Sequence, residues 1–253
     1  MVLGLIEGLS EFLPISSTGH LILVNQWFAF GEAFTKLFDI VIQAGAILAI
    51  IILFWKDMWP ETWNFKSLEK KWGKIFIAFI FTSVIALLFA NTAERYLFSP
   101  FVVAAALIFY GVVFLLLEKF QVIRQAKESS YSDAVIIGLI QALALVPGTS
   151  RSGITMVGML LLGYARPQAA KFSFLLAVPT LLAASAYSLL KYKTPISGSE
   201  YGYLAIGFFV SFIVAYGVSK WFMAYISKNT FIPFAWYRIV LGILIFGSYF
   251  LAR

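Results

Sequence analysis

Six apolar runs, near 36–55, 74–92, 99–117, 172–190, 202–224 and 233–251, each have the length of about 20 residues that a helix needs to cross a hydrocarbon core. Lipid offers no partner to backbone N–H and C=O groups, so each run must satisfy its own by folding as a helix. An all-α integral membrane protein follows. The hydrophobic fraction of 61% agrees, since soluble domains hold roughly 45–50%. With 253 residues there is room for these crossings and a few shorter embedded pieces, which suits a single membrane domain over 1–253.

Two further apolar segments, 1–30 and 134–164, do not read as uninterrupted spans. Pro14 and Pro147 break them, and Gly, Ser and Thr crowd the breaks. From Val2 to Leu13 the first apolar stretch is too short to span, so a re-entrant piece is expected. It lacks the basic start and cleavage site of a signal peptide and carries Glu7 and Glu11, so it reads as mature structure.

The two broken segments are copies of each other. Sliding the sequence by 134 places Gly4-Leu5-Ile6 on Gly138-Leu139-Ile140, Leu9 on Leu143, Ser16 on Ser150 and Gly19 on Gly153. The chain therefore divides into repeat one (1–117), a cytoplasmic linker (118–133) and repeat two (134–251), each repeat a re-entrant helix hairpin followed by three transmembrane helices. An odd number of spans makes the second repeat enter from the opposite side. This is the inverted-topology plan, in which half-helix ends meet near the midplane and form the site.

Charge gives the orientation. Placing 56–73, 118–133, 165–171 and 225–232 in the cytoplasm gives that side twelve Lys/Arg (Lys56, Lys66, Lys70, Lys71, Lys74, Lys119, Arg124, Lys127, Arg166, Lys171, Lys220, Lys228). The other side then holds five, Lys36, Arg95, Lys191, Lys193 and Arg253. The bias puts both termini and the first hairpin outside. Trp55, Trp59, Trp63 and Trp72 flank the first long loop as interfacial anchors. The net charge of +7 is scattered through short connections and forms no stripe, so membrane lipids are the expected surroundings and nucleic acid is not a partner. With no cysteine and one histidine, thiolate and multi-histidine metal sites are excluded.

In "EGLSEFLPISSTGH", Glu7 and Glu11 stand at i and i+4 and share a helix face. Two carboxylates on an apolar helix need a cation, an arginine or a shared proton. An oxygen-rich, thiol-free site favours Mg²⁺ or Ca²⁺, with Glu7 and Glu11 as ligands. After Pro14, Ser16, Ser17, Thr18, Gly19 and His20 read as the start of a second half-helix, where unpaired N–H groups and the helix dipole attract an anion such as phosphate. "VPGTSRSGITMVG" repeats the device with Gly148, Thr149, Ser150, Arg151, Ser152 and Gly153, and its arginine suits bidentate phosphate contact. Cation, arginine and hydroxyls together describe phosphoryl transfer. Asp39 and Gln43 are expected to line the same cavity or to pack; Asn91, Glu94 and Arg95 are expected at an interface, and Arg238 near a membrane edge, outside the chemistry.

The hairpins "EGLSEFLPISSTGH" and "PGTSRSG" resemble those of the bacterial undecaprenyl pyrophosphate phosphatase, or bacitracin-resistance, family. The likeness extends to "FSFLLAVP" at 172–179 and "FIPFAWYR" at 231–238. It implies hydrolysis of undecaprenyl pyrophosphate to undecaprenyl phosphate and inorganic phosphate, which recycles the lipid carrier of peptidoglycan synthesis and confers bacitracin resistance. It also implies an outward-facing site in the bacterial plasma (inner) membrane and dependence on Mg²⁺ or Ca²⁺. By position, Glu7 and Glu11 match the family's paired glutamates, Ser16 to His20 its serine-rich turn and Arg151 its essential arginine. The family's longer lead before the first glutamate implies a truncated N-terminus here. Ser17 is the expected nucleophile with His20 as proton shuttle, while His20 itself or a metal-bound water stands as the alternative attacker. A homodimer is a further expectation. The rival function is an inverted-repeat lipid flippase or anion transporter, which would use the same phosphate site but has no need of a nucleophile beside an acid-base pair.

Overall fold

The computed structural model describes residues 1–28, 30–60, 62, 64–120, 126 and 128–251. Trp63, residues 121–125 and 127 of the linker 118–133 with Arg124 and Lys127 among them, Arg253, and the side chain of Glu94 lie outside the described residues. The described residues hold helices and turns and no strand. The helices are α1 (Val2–Ser10), α2 (Ser17–Phe28), α3 (Glu32–Leu53), α4 (Trp55–Met58), α5 (Phe65–Leu97), α6 (Pro100–Lys119), α7 (Tyr131–Gln141), α8 (Arg151–Leu161), α9 (Arg166–Lys191), α10 (Gly198–Ile226) and α11 (Ile232–Leu251), with a 3₁₀ turn at Ala142–Leu145.

Five helices, α3, α5, α6, α9 and α10, are long and apolar enough to cross a membrane. The sixth expected span is α11, an apolar helix of 20 residues from Ile232 to Leu251. Real helix ends outrun the apolar runs that announce them. α5 starts at Phe65, inside a stretch read as loop, because Asn64 caps it by accepting the Ser67 N–H at 2.8 Å and its charged first turns stay in water. α6 starts where Pro100 follows the cap Ser99, whose hydroxyl accepts the Val102 N–H.

Lipid tails are as apolar as leucine, so helices associate here by close packing of small residues. α1 lies on α10 and α7 on α5. A Cβ on Gly4 of α1 would stand 2.7 Å from the Gly207 carbonyl oxygen, and one on Gly138 of α7 would stand 2.4 Å from that of Ala78. Large apolar side chains such as Leu87, Ile213 and Leu244 face outward, as lipid contact requires. Residues 11–16 of the break between α1 and α2 and residues 147–150 of the break between α7 and α8 are buried, and irregular backbone is tolerated at membrane depth where protein covers it.

Candidate functional site

Both breaks have one construction. α1 ends at Ser10; Glu11 keeps helical geometry, with its N–H on the Glu7 carbonyl at 2.9 Å, so the two carboxylates stay one turn apart. Pro14, lacking an N–H, stops the helix. Ser16 then takes a φ of 73°, and its hydroxyl accepts the Gly19 N–H at 3.3 Å as α2 begins. In the second hairpin Pro147 and Gly148 follow the 3₁₀ turn, Ser150 takes a φ of 71°, and its hydroxyl accepts the Gly153 N–H at 3.1 Å as α8 begins. Left-handed backbone at a non-glycine residue costs of order 1–3 kcal/mol, and such strain persists only where the surroundings hold it.

The surroundings are each other. Arg151 donates from Nε and Nη2 to Glu11 Oε1 at 3.3 and 3.2 Å, and from Nη1 to the Ser173 carbonyl at 3.1 Å. The other oxygen of Glu11 accepts the Ser17 hydroxyl at 2.5 Å. Ser152 donates to the Leu13 carbonyl at 2.9 Å. Phe12, fully buried, lies under the Arg151 guanidinium and meets Phe174 edge-on. Arg238, with no exposed surface, donates to the carbonyls of Pro14 at 3.0 Å, Gly148 at 2.9 Å and Thr149 at 3.0 Å, binding both breaks from behind.

In front lies a cavity of about 260 Å³ whose polar wall includes Glu11, Ser16, Ser17, Thr18, Ser150 and Arg151. Its floor is a buried amide network: Gln141 donates to Thr82 at 3.0 Å and to Thr180 at 3.4 Å, and accepts from Thr155 at 3.0 Å. A second cavity of about 250 Å³ shares Ser17, Thr18 and Gln43 with the first and adds Glu7, Asn25 and Asp39. Glu7 Oε1 and Asp39 Oδ1 are buried there with no hydrogen-bond partner among the described residues. Bare carboxylate oxygens beside hydroxyls form an all-oxygen donor set that fits Mg²⁺ or Ca²⁺. Among the described residues no three His, Asp or Glu side chains converge on one point. Mg²⁺ often takes only one or two carboxylates together with substrate phosphates.

The structure brings Glu11, Ser16, Ser17, Thr18, Ser150 and Arg151 to one cavity and Glu7 to the adjoining one. Asp39 and Gln43, left between cavity and packing by the sequence, both line cavities. It does not bring the others there. His20 turns to the far side of the first break, where Nδ1 meets the Ser16 carbonyl at 2.7 Å and Nε2 the Tyr237 hydroxyl at 2.7 Å. Thr149 borders an apolar pocket beside Tyr110, Ser152 holds the Leu13 backbone, and the N–H groups of Gly19 and Gly153 are taken by their caps. The sequence reading missed Gln141 and Tyr237, and it set Arg238 near a membrane edge, whereas the structure buries Arg238 fully against both breaks. Gln141 stands 134 residues after Glu7, so the repeat register itself points to it. A charge inside the apolar run 233–251 was a signal for Arg238.

The family described as "Bacitracin resistance protein BacA" matches residues 1–244. An undecaprenyl-diphosphatase of Enterococcus faecalis is 45% identical over 96% of this chain and 93% of that protein. Undecaprenyl-diphosphatase 1 of Clostridioides difficile is 44% identical over 99% of this chain and 95% of its own, and the undecaprenyl-diphosphatase of Polaromonas naphthalenivorans is 41% identical over 98% and 93%.

Proposed function

This chain belongs to the bacitracin resistance protein family, and from that premise we propose that it is an undecaprenyl-diphosphatase, releasing inorganic phosphate from undecaprenyl diphosphate and leaving the lipid monophosphate. The observation that carries the reading is the join between the hairpins, where one carboxylate, Glu11, holds the Ser17 hydroxyl on one oxygen and Arg151 on the other at the wall of a cavity. Ser17 Oγ attacks the terminal phosphorus while its proton passes to Glu11. The bond to the bridging oxygen breaks, and undecaprenyl phosphate leaves. Water then cleaves the phosphoserine and frees phosphate. Arg151 and the N-termini of α2 and α8 supply the positive charge that the phosphoryl oxygens need as charge builds. Glu7, with a bare oxygen, and Glu11 would hold Mg²⁺ or Ca²⁺, whose charge would neutralise part of the diphosphate.

The proposal includes the inverted-topology repeat, 1–117 and 134–251, with outward termini and an outward-facing site in the bacterial inner membrane. Its support is the correspondence of elements. A shift of 134 residues carries α1 to α7, α2 to α8, α3 to α9, α5 to α10 and α6 to α11, and the strained Ser16 to the strained Ser150. The reaction would return the lipid carrier to peptidoglycan synthesis. We include homodimer formation in the proposal; cross-linking in native membranes tests it.

The first test is phosphate release from undecaprenyl diphosphate by purified protein, with and without chelator, for wild type, Glu11→Gln and Arg151→Ala. Metal-dependent release, lost in both variants, is expected. Tight binding without release by folded wild type would favour the transporter instead.

A further inference from the structure

The chain of an undecaprenyl lipid is many times larger than its head, and the cavity at Glu11 and Arg151 has room for little beyond the head. Its apolar wall includes Ala142, Leu145 and Val146 of the second break, beside Ala86, Phe98, Leu181 and Ala184. The same three residues of the break also form one wall of a separate pocket of about 280 Å³, which they share with Phe89, Thr92 and Ala93 of α5. Tyr96, Leu97 and Leu143 complete that pocket. It bears no charged side chain. Phe89, Tyr96 and Leu143 are 55%, 67% and 48% exposed, so the pocket opens onto the surface that lipid would cover. A second apolar pocket, bounded by α6, meets the cavity wall at Val146 alone.

We infer that the isoprenoid chain of the substrate leaves the site over Leu145 and Val146 and lies in the pocket between the 3₁₀ turn and the outer end of α5. This rests on the phosphatase reading and adds to it the path of the tail. The occupant follows from continuity: one wall serves the phosphate cavity on one side and an uncharged pocket on the other, so a molecule with an anionic head and a branched hydrocarbon chain fits both at once. The substrate's first prenyl units would contact protein and the remaining ones lipid, so the groove would read the near end of the tail.

The test compares undecaprenyl diphosphate with isopentenyl diphosphate, whose single prenyl unit stops short of the groove, as substrates of purified protein, scoring kcat/KM for each. Thr92→Trp on the exposed face of α5 narrows the groove, and Leu143→Trp narrows it from the facing wall. Val102→Trp fills the α6 pocket as the comparison. In both groove variants kcat/KM is expected to fall about tenfold further for undecaprenyl than for isopentenyl diphosphate, mostly through KM. Equal losses on both substrates, or a chain-selective loss in Val102→Trp instead, would overturn the inference. Wild type that releases phosphate from neither substrate would overturn the phosphatase reading, a separate outcome.

Discussion

Arg238 shows what a residue can do without touching substrate. Its guanidinium has no carboxylate partner among the described hydrogen bonds and ion pairs and is met by carbonyl oxygens from residues 14, 148 and 149, far apart in sequence. Arg238→Met would leave these carbonyls bare, and a buried polar group without a partner costs about 1–3 kcal/mol. Loss of both thermal stability and turnover is expected, the latter about a hundredfold or more, because small displacements of catalytic groups are costly. Arg238→Lys should recover little, since an ammonium cannot span the fork. Phosphate release and detergent melting curves check both; wild-type turnover in Arg238→Met would remove the positioning role. His20 and Ser17 separate similarly. Ser17→Ala is expected to lower turnover about a thousandfold or more, whereas Tyr237→Phe removes one hydrogen bond to His20, of order 1 kcal/mol, and should stay within about tenfold. A loss in Tyr237→Phe as deep as in Ser17→Ala would return His20 to the centre of the reaction. Glu7, Glu11 and Arg151 were legible in the sequence because charge in an apolar hairpin demands a reason. The surroundings of Arg238 were not, because its partners are backbone atoms that only the fold brings to it.

At the scale of elements, each half-helix begins on a serine held in left-handed backbone, and that conformation aims the N-termini of α2 and α8 into the site. Ser150→Gly relieves the strain, of order 1 kcal/mol or more, and loses a cap for which glycine costs only a few tenths. The variant is thus expected to melt higher, yet to turn over more slowly because the Ser150 hydroxyl on the cavity wall is gone. Unchanged or lower stability would mean the backbone is not strained. Gly138 tests the opposite case. A Cβ there meets backbone of Ala78 at 2.4 Å, so Gly138→Ala must push α7 off α5. Overpacking costs typically 1–3 kcal/mol, which a melting curve reads. Proline and glycine announced both breaks, which lie between α1 and α2 and between α7 and α8. The true length of α5 was hidden, since its charged first turns carry no hydropathy signal and are fixed by the Asn64 cap.

For the whole molecule, the proposed inversion would turn two similar hairpins into one asymmetric site. Both breaks carry the strained serine and its cap, but Glu7 of the first faces Gln141 as its counterpart in the second, and Glu11 faces Leu145. One half therefore brings carboxylates and the Ser17 hydroxyl; the other brings Arg151, an amide floor and an apolar wall. In the proposed topology the halves would enter the membrane from opposite sides, so that their breaks meet head to head. The chain has no cysteine, which lets single cysteines report topology without background. Thr194→Cys, between α9 and α10, and Asn229→Cys, between α10 and α11, sit at opposite ends of α10. In intact spheroplasts a membrane-impermeant maleimide is expected to label the first and spare the second, with labelling of Asn229→Cys appearing only after lysis. The reverse pattern would turn the site toward the cytoplasm, where it would meet newly made lipid diphosphate before the carrier had been used. Labelling of both in intact cells would mean that α10 does not cross, and the inverted repeat would fail with it.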